Sequence, residues 1–168
     1  MAFPSKLKNM NLFNEGASYL ALAMSVTMPK LARKLEDYRA GGMDGTVKID
    51  QGAEPMEMEF TLGGPDRTVI RQFARPGIAG TFLRFAGSYQ NDATGAYDVI
   101  EITVRGRHEE IDMGESKVGE GGETKVKTQC AYYRLEWNGR VEIEIDVLNM
   151  IYIVDGVDML AEQRAAIL

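Results

Sequence analysis

Residues 125–148 read KVKTQCAYYRLEWNGRVEIEIDVL, and they decide the fold class. After the Asn138-Gly139 step, Val141, Ile143 and Ile145 alternate with Glu142, Glu144 and Asp146. A period of two over such a run marks a half-buried strand, because successive side chains on extended chain point to opposite faces. Asn-Gly supplies the two positive-φ positions of a type I′ turn, so the flanking runs are predicted to fold back on each other as a hairpin.

The same pattern recurs outward along the chain. Residues 81–90 (TFLRFAGSYQ) form one run, NDATG at 91–95 turns it, and residues 96–107 return with Ile100, Ile102 and Val104 against Glu101, Thr103 and Arg105. Further upstream, Val47 and Ile49 alternate with Thr46, Lys48 and Asp50. Beyond Gly52, Met56, Met58 and Phe60 alternate with Glu57, Glu59 and Thr61. These two runs are expected to pair with each other across a short turn, one face wet. Residues 17–28 are apolar enough for strand or helix, and Val26-Thr27 before Pro29 favours extended chain. Two stretches carry helical spacing. Residues 65–73 (PDRTVIRQF) start on a proline at an N1-like position, with Val69, Ile70 and Phe73 on one stripe. The end, DGVDMLAEQRAAIL, places Val157, Leu160, Ala161, Ala165 and Leu168 together behind an Asp155 cap. Residues 114–122 read as an exposed glycine-rich loop. With no repeat and no linker, residues 1–168 are expected to form one mainly-β domain, a barrel or sandwich of long hairpins. A short mid-chain helix and a C-terminal helix complete it.

Composition removes several functions. The charge is −6, from 25 acids against 19 bases, which disfavours a basic nucleic-acid reader or an anionic-membrane binder. Cys130 is alone, cannot make an internal disulfide, and reads as a structural thiol in a reducing compartment. No apolar stretch approaches the roughly 20 residues of a membrane span, and MAFPSKLKNMNLF lacks the continuous apolar core of a signal peptide, so no membrane anchoring is expected. The single histidine, His108, cannot form a metal cluster and is read as a solvated strand-end residue. Glu57/Glu59 and Glu142/Glu144 share strand faces rather than forming an acid–base pair. The glycine pairs lack the lysine and hydroxyl of a phosphate loop, and no nucleophile elbow is present. No catalytic residue, cofactor or metal is expected. The ten methionines read as core filler.

The stretches together resemble the major tail tube protein of contractile-tailed bacteriophages and of phage-tail-like bacteriocins. The matching segments are NLF at 11–13, MPKLARKLEDYRAGGMDGTVKID at 28–50, LRFAGSYQND at 83–92, VRGRHEEIDMGE at 104–115, YYRLEWNG at 132–139 and EIDVLNMIYIVDGVDMLAEQRAAIL at 144–168. They follow in order along essentially the whole chain, with 55–80 matching least. The resemblance implies six-membered rings stacked into a hollow tube, each subunit lending hairpins to one β-barrel around the lumen. It implies as partners further copies of the chain, a contractile sheath, baseplate and tail-completion proteins, a tape-measure protein, and DNA only as transient cargo. The expected location is the virion tail, after assembly in the host bacterial cytoplasm. A tube of a bacteriocin or of a type VI-like secretion apparatus is the alternative within the same architecture. A small-ligand β-barrel and a β-fold hydrolase are the rivals outside it.

On that architecture two groups of residues acquire roles. The polar phase of the hairpins is expected to face the lumen through Lys48, Asp50, Glu57, Glu59, Arg84, Ser88, Glu101, Thr103 and Arg105, a mixed set with a slight acidic excess. Residues 30–45 are expected to form an arm joining one ring to the next. The approach Lys30, Arg33, Lys34, Glu36, Asp37, Tyr38 and Arg39 carries both charge signs, as a registering contact wants, and Gly41 and Gly42 reverse the chain before Asp44.

Overall fold

The computed structural model describes residues 2–168; Met1, the first residue of the expected domain, lies outside them. The strands are β1 (Ser5–Asn14), β2 (Ala17–Ser18), β3 (Ala23–Thr27), β4 (Arg33–Tyr38), β5 (Val47–Ala53) and β6 (Met56–Leu62). After helix α1 (Arg67–Gln72) come β7 (Thr81–Asn91), β8 (Tyr97–Asp112), β9 (Thr124–Trp137), β10 (Arg140–Asp146), β11 (Ile151–Val154) and β12 (Val157–Asp158). Helix α2 (Ala161–Ile167) ends the chain.

The long strands β8 and β9 are the spine. They pair antiparallel from Ile100↔Trp137 to Asp112↔Lys125, with register shifts at Arg105/Gly106 and His108/Glu110. Outward from β8 lie β7, β1 and β2 in turn. Outward from β9 the sheet forks. The Tyr132–Trp137 half carries β10, β11 and β12, and the Thr124–Cys130 half carries β6 and then β3. Eight of the ten strands run from β12 to β2 without closing, with β6 and β3 branching from β9, which sets aside the closed single-chain barrel. The core lies between the inner faces of the two branches. Leu12, Leu83, Phe85, Ile102, Val104, Tyr133 and Ile145 come from one branch, and Met58, Phe60, Leu62 and Val126 from the other, all buried. The Asn-Gly and NDATG turns and the exposed 113–123 loop fall where the sequence puts them.

Four expectations change. The two runs at 46–50 and 56–61 are both strands but do not pair. β5 instead pairs with β4 in a separate two-stranded sheet, while β6 pairs with β3 and β9. Alternation fixes a strand's faces but not its neighbour, and burial separates these two. Met56, Met58, Phe60 and Leu62 are sealed in the core, whereas Val47 and Ile49 stay exposed. At the C-terminus, Asp155 and Gly156 adopt positive φ (51° and 77°) and turn β11 into β12, so Asp155 caps nothing and Val157 belongs to a strand. Only Ala161–Ile167 is helical, with no buried residue. In α1 the cap is Asp66, accepting from the Val69 N–H, so Pro65 precedes the cap, and Gln72 rather than Ile70 or Phe73 turns inward with Val69. Strand β1, which pairs with β7 along its length, has too irregular an alternation to stand out in the sequence.

The fourth correction concerns His108, which is buried rather than solvated. It sits on the core face of β8 because its parity is that of Ile102, Val104 and Gly106. Gln72 exchanges bonds of 2.7 and 2.8 Å with Asn14, and its Oε1 also lies 3.0 Å from His108 Nε2. That oxygen only accepts, so Nε2 carries the proton and Nδ1 accepts from Thr128 Oγ1 at 2.8 Å. Asn14 donates to the Tyr19 hydroxyl, which donates to the Asp66 cap. This chain ties α1 to β1, β8 and β9. Burial, with a smaller push from Arg75, holds the imidazole down at about 4. An unfolded histidine titrates near 6.5, so between these values the unfolded chain binds the extra proton. The unassembled subunit is therefore expected to lose stability as pH falls from about 6.5 to 4, by a full penalty of about 3 kcal/mol. Urea unfolding at stepped pH should show this slope flattened in His108→Gln, and an unchanged slope in that variant would refute the assignment. Burial likewise pushes the Cys130 thiol up to about 12, leaving it protonated and unreactive.

Candidate assembly surfaces

Two surfaces stand out, and each collects part of the residues singled out by sequence. The first is the outer face of the main sheet. Because the core takes Leu83, Phe85, Ile102 and Val104, the opposite parity turns Arg84, Ser88, Glu101, Thr103 and Arg105 outward together. Arg84 stands opposite Thr103, and Thr103 opposite Arg134 on β9. Arg84 reaches Glu101 at 3.2 Å, and Arg134 reaches Glu136 at 3.0 Å. The guanidinium of Arg84 lies 4.1 Å from the centre of the Phe13 ring, and that of Arg105 5.3 Å from Phe82. Stacked and paired in this way, the long side chains cover the strand surface, and Thr103 beneath them is only 4% exposed although it points outward.

Sequence reasoning missed half of this face. Tyr132, Arg134 and Glu136 on β9 and Glu144 and Asp146 on β10 continue it in register. The signal was there in the alternation of 132–136, the outward phase of the very hairpin that identifies the fold. With these residues included, Arg84, Arg105 and Arg134 stand against Glu101, Glu136, Glu144 and Asp146 on this face.

Glu57 and Glu59 also point outward, but on the β6 branch, past the register shift at Arg105/Gly106, a bulge that bends β8. Glu57 meets Lys127 at 3.1 Å and accepts from Gln129 Nε2 at 3.2 Å. That contact holds the Lys127 ammonium pKa above its ordinary value. Lys48 and Asp50 lie elsewhere, on the β4–β5 hairpin, where they pair with residues of the expected arm: Lys48 with Asp37 at 2.7 Å, Asp50 with Arg33.

That hairpin is the second surface. All six residues of β4 are exposed, as are Lys30 and the tip residues Arg39, Gly41, Gly42 and Asp44. Its base is fixed: Arg33 donates twice to Asp50, both at 2.9 Å, lies 5.2 Å from the Tyr152 ring centre, and Glu54 N–H donates to the Ala32 carbonyl at 2.9 Å. The tip closes on itself, with Arg39 donating to the Met43 carbonyl and Gly42 at φ +82°; Gly41 needs no positive φ. One face carries the Asp37–Lys48 and Arg33–Asp50 pairs with the exposed Leu35 between them, and Glu36 lies on the opposite face beside Ile49. The other shows Tyr38, Val47 and Ile49, exposed at 49%, 50% and 40%.

The chain edges matter as much as the faces. β2 covers β1 only at Phe13 and Asn14, so most of β1 has one bare edge, and β12 covers β11 only at Ile153 and Val154. An open sheet with a polar outer face, bare edges at both ends and a projecting hairpin has the features of an assembling subunit.

Comparison with known proteins agrees. A family model described as phage tail tube protein FII matches residues 4–167. The tail tube protein of Escherichia phage P2 is 48% identical over 167 residues, covering 98% of this chain and 97% of that protein. The major tail tube protein of Serratia phage KSP20 is 34% identical over 158 residues, 93% of this chain and 91% of its own length. Among solved structures, a chain of the sheath–tube complex of the PVC extracellular contractile injection system, in the extended state, shares the fold at TM-score 0.61. It is 10% identical, with 81% of this chain and 93% of that chain covered. A chain of the anti-feeding prophage tube-terminating cap aligns at TM-score 0.59 over 81% of this chain.

Proposed function

Since the chain belongs to the phage tail tube protein FII family, a family of structural virion components, we propose that it builds the tube as stacked six-membered rings, each subunit a single domain contributing its main sheet to a barrel shared around the lumen. The observation that supports this most directly is the open sheet. Its two ends are different strands, so pairing one subunit's β1 edge with the next subunit's β11–β12 edge is head-to-tail, and head-to-tail contacts that close make a ring. Closure also removes the bare edges that would otherwise template aggregation.

In this arrangement the outer face of β7–β10 lines the lumen. Its arginines are held by glutamates and aromatic rings, leaving few free cations to grip phosphates. Passing DNA then meets a polar wall whose arginines already have partners, and releases few counterions on contact. The β4–β5 hairpin reaches the neighbouring ring. Sheath, baseplate, tail-completion and tape-measure proteins are the partners of such a tube, and the chain itself performs no catalysis. None of the helices among the described residues is long and apolar enough to cross a membrane.

Electron microscopy of the concentrated protein is expected to show rings or hollow tubes of uniform diameter. A strictly monomeric species by light scattering, at every concentration and with sheath and baseplate proteins present, would overturn the reading.

A further inference from the structure

The stretch Arg67–Gly80 (RTVIRQFARPGIAG) carries three arginines and no acid, within a chain of net charge −6. Val69 and Gln72 anchor it inward, and what remains faces solvent. Ile70 is 45% exposed, Phe73 50% and Ile78 53%. Arg75 pairs with Glu15 at 3.5 Å, whereas Arg67 and Arg71 make no ion pair among the described residues. One turn apart on α1, they flank Ile70 on the exposed side of the helix. Nothing in the subunit's own packing requires this combination, since the helix is held by Val69 and the Gln72–Asn14–His108 bonds.

Its direction is fixed by the core. Val69 packs in one cluster with Leu83, Phe85, Ile102 and Val104, the inward face of β7 and β8. The exposed side of α1 therefore points away from the face that carries Arg84, Glu101 and Arg134. On the tube reading, on which this inference rests, that side lies on the outer circumference.

We propose that Arg67, Ile70, Arg71 and Phe73 form the surface on which the enclosing protein layer docks, through a partner segment that combines acidic with apolar side chains. Charge complementarity selects the acids, and the exposed aliphatic and aromatic side chains require apolar partners at the centre of the contact. A nucleic acid fits less well, because two unpaired arginines neutralise few phosphates and the net negative charge of the chain repels a polyanion.

The test is co-sedimentation of tubes with the cognate sheath protein. Arg67→Glu/Arg71→Glu tubes are expected to form normally under the electron microscope but to need at least tenfold more sheath for half-decoration. Arg67→Gln/Arg71→Gln, gentler on folding, should show a smaller loss and a weaker salt dependence than the wild type. Wild-type tubes with undiminished decoration of both variants would overturn the docking surface. So would loss of tube formation in the glutamine variant, or a basic patch whose measurable ligand is duplex DNA or anionic vesicles. Failure of the wild type to form tubes would instead remove the tube reading itself.

Discussion

Gly106→Ala is expected to cost the subunit more than about 3 kcal/mol of stability and to lower its urea midpoint steeply. A Cβ at residue 106 would sit 1.9 Å from the Gln129 carbonyl oxygen, 2.7 Å from its carbon and 2.9 Å from the Cys130 Cα. All three are backbone atoms of the paired strand, so no rotamer change relieves the contact. β8 and β9 would have to separate at the point where the register shifts and the spine bends toward both branches. Overpacking in a well-packed interior costs about 1–3 kcal/mol when side chains can yield, and here they cannot. Set against a total stability of about 5–15 kcal/mol, a loss above about 3 kcal/mol leaves little margin. Gly87→Ala is the control. The atoms nearest its new methyl would be ring atoms of Tyr89 and Phe85, at 2.7–2.9 Å, and side-chain rings can shift. Urea midpoints should fall far more for Gly106→Ala than for Gly87→Ala. Equal midpoints would mean that the close strand approach does not set the bend.

The same bend marks the limit of what sequence alone can reveal. Alternation in 81–107 and 125–146 marked β7 to β10 as strands, and on β7 and β8 it separated the outward residues, because one face of each strand is buried and a period of two survives. Alternation is silent on partners. Val47–Asp50 and Met56–Thr61 look alike as patterns, yet one projects into solvent and the other closes the core. KLEDY in β4 shows no alternation, since a strand buried on neither face has no reason to segregate its side chains; its partner is set by Asp37–Lys48 and Arg33–Asp50. His108 was hidden by its charged neighbours. Arg107 and Glu109 point outward while His108 shares the core parity, and the buried partners that satisfy it, Gln72 and Thr128, lie 36 and 20 residues away. The polar set is split by the fold for a related reason: Lys48 and Asp50 belong to the hairpin, Glu57 and Glu59 to the β6 branch, and β9 and β10 contribute other residues.

Deleting residues 39–44 behind a short glycine bridge is expected to leave a folded subunit that no longer stacks into tubes. No residue between Lys30 and Pro55 belongs to the buried core, so removing the tip should change stability by less than about 1 kcal/mol. The remaining strands retain the Tyr38↔Val47 pair and the Arg33–Asp50 clasp. Yet an isolated two-stranded hairpin is at best marginally stable in water, and exposed ion pairs add little to it. A hairpin anchored firmly at its base, with Tyr38, Val47 and Ile49 uncovered along one side, gains most when a second copy covers that side. The proposed inter-ring contact supplies the cover, and the tip supplies its length. Tyr38→Ser/Ile49→Ser should reproduce the defect more mildly, raising the concentration needed for tubes while single rings persist. Circular dichroism and melting establish that the variants fold, and electron microscopy counts rings against tubes. Tubes of normal length from the deletion variant would show that the hairpin joins nothing, and that rings stack through other surfaces.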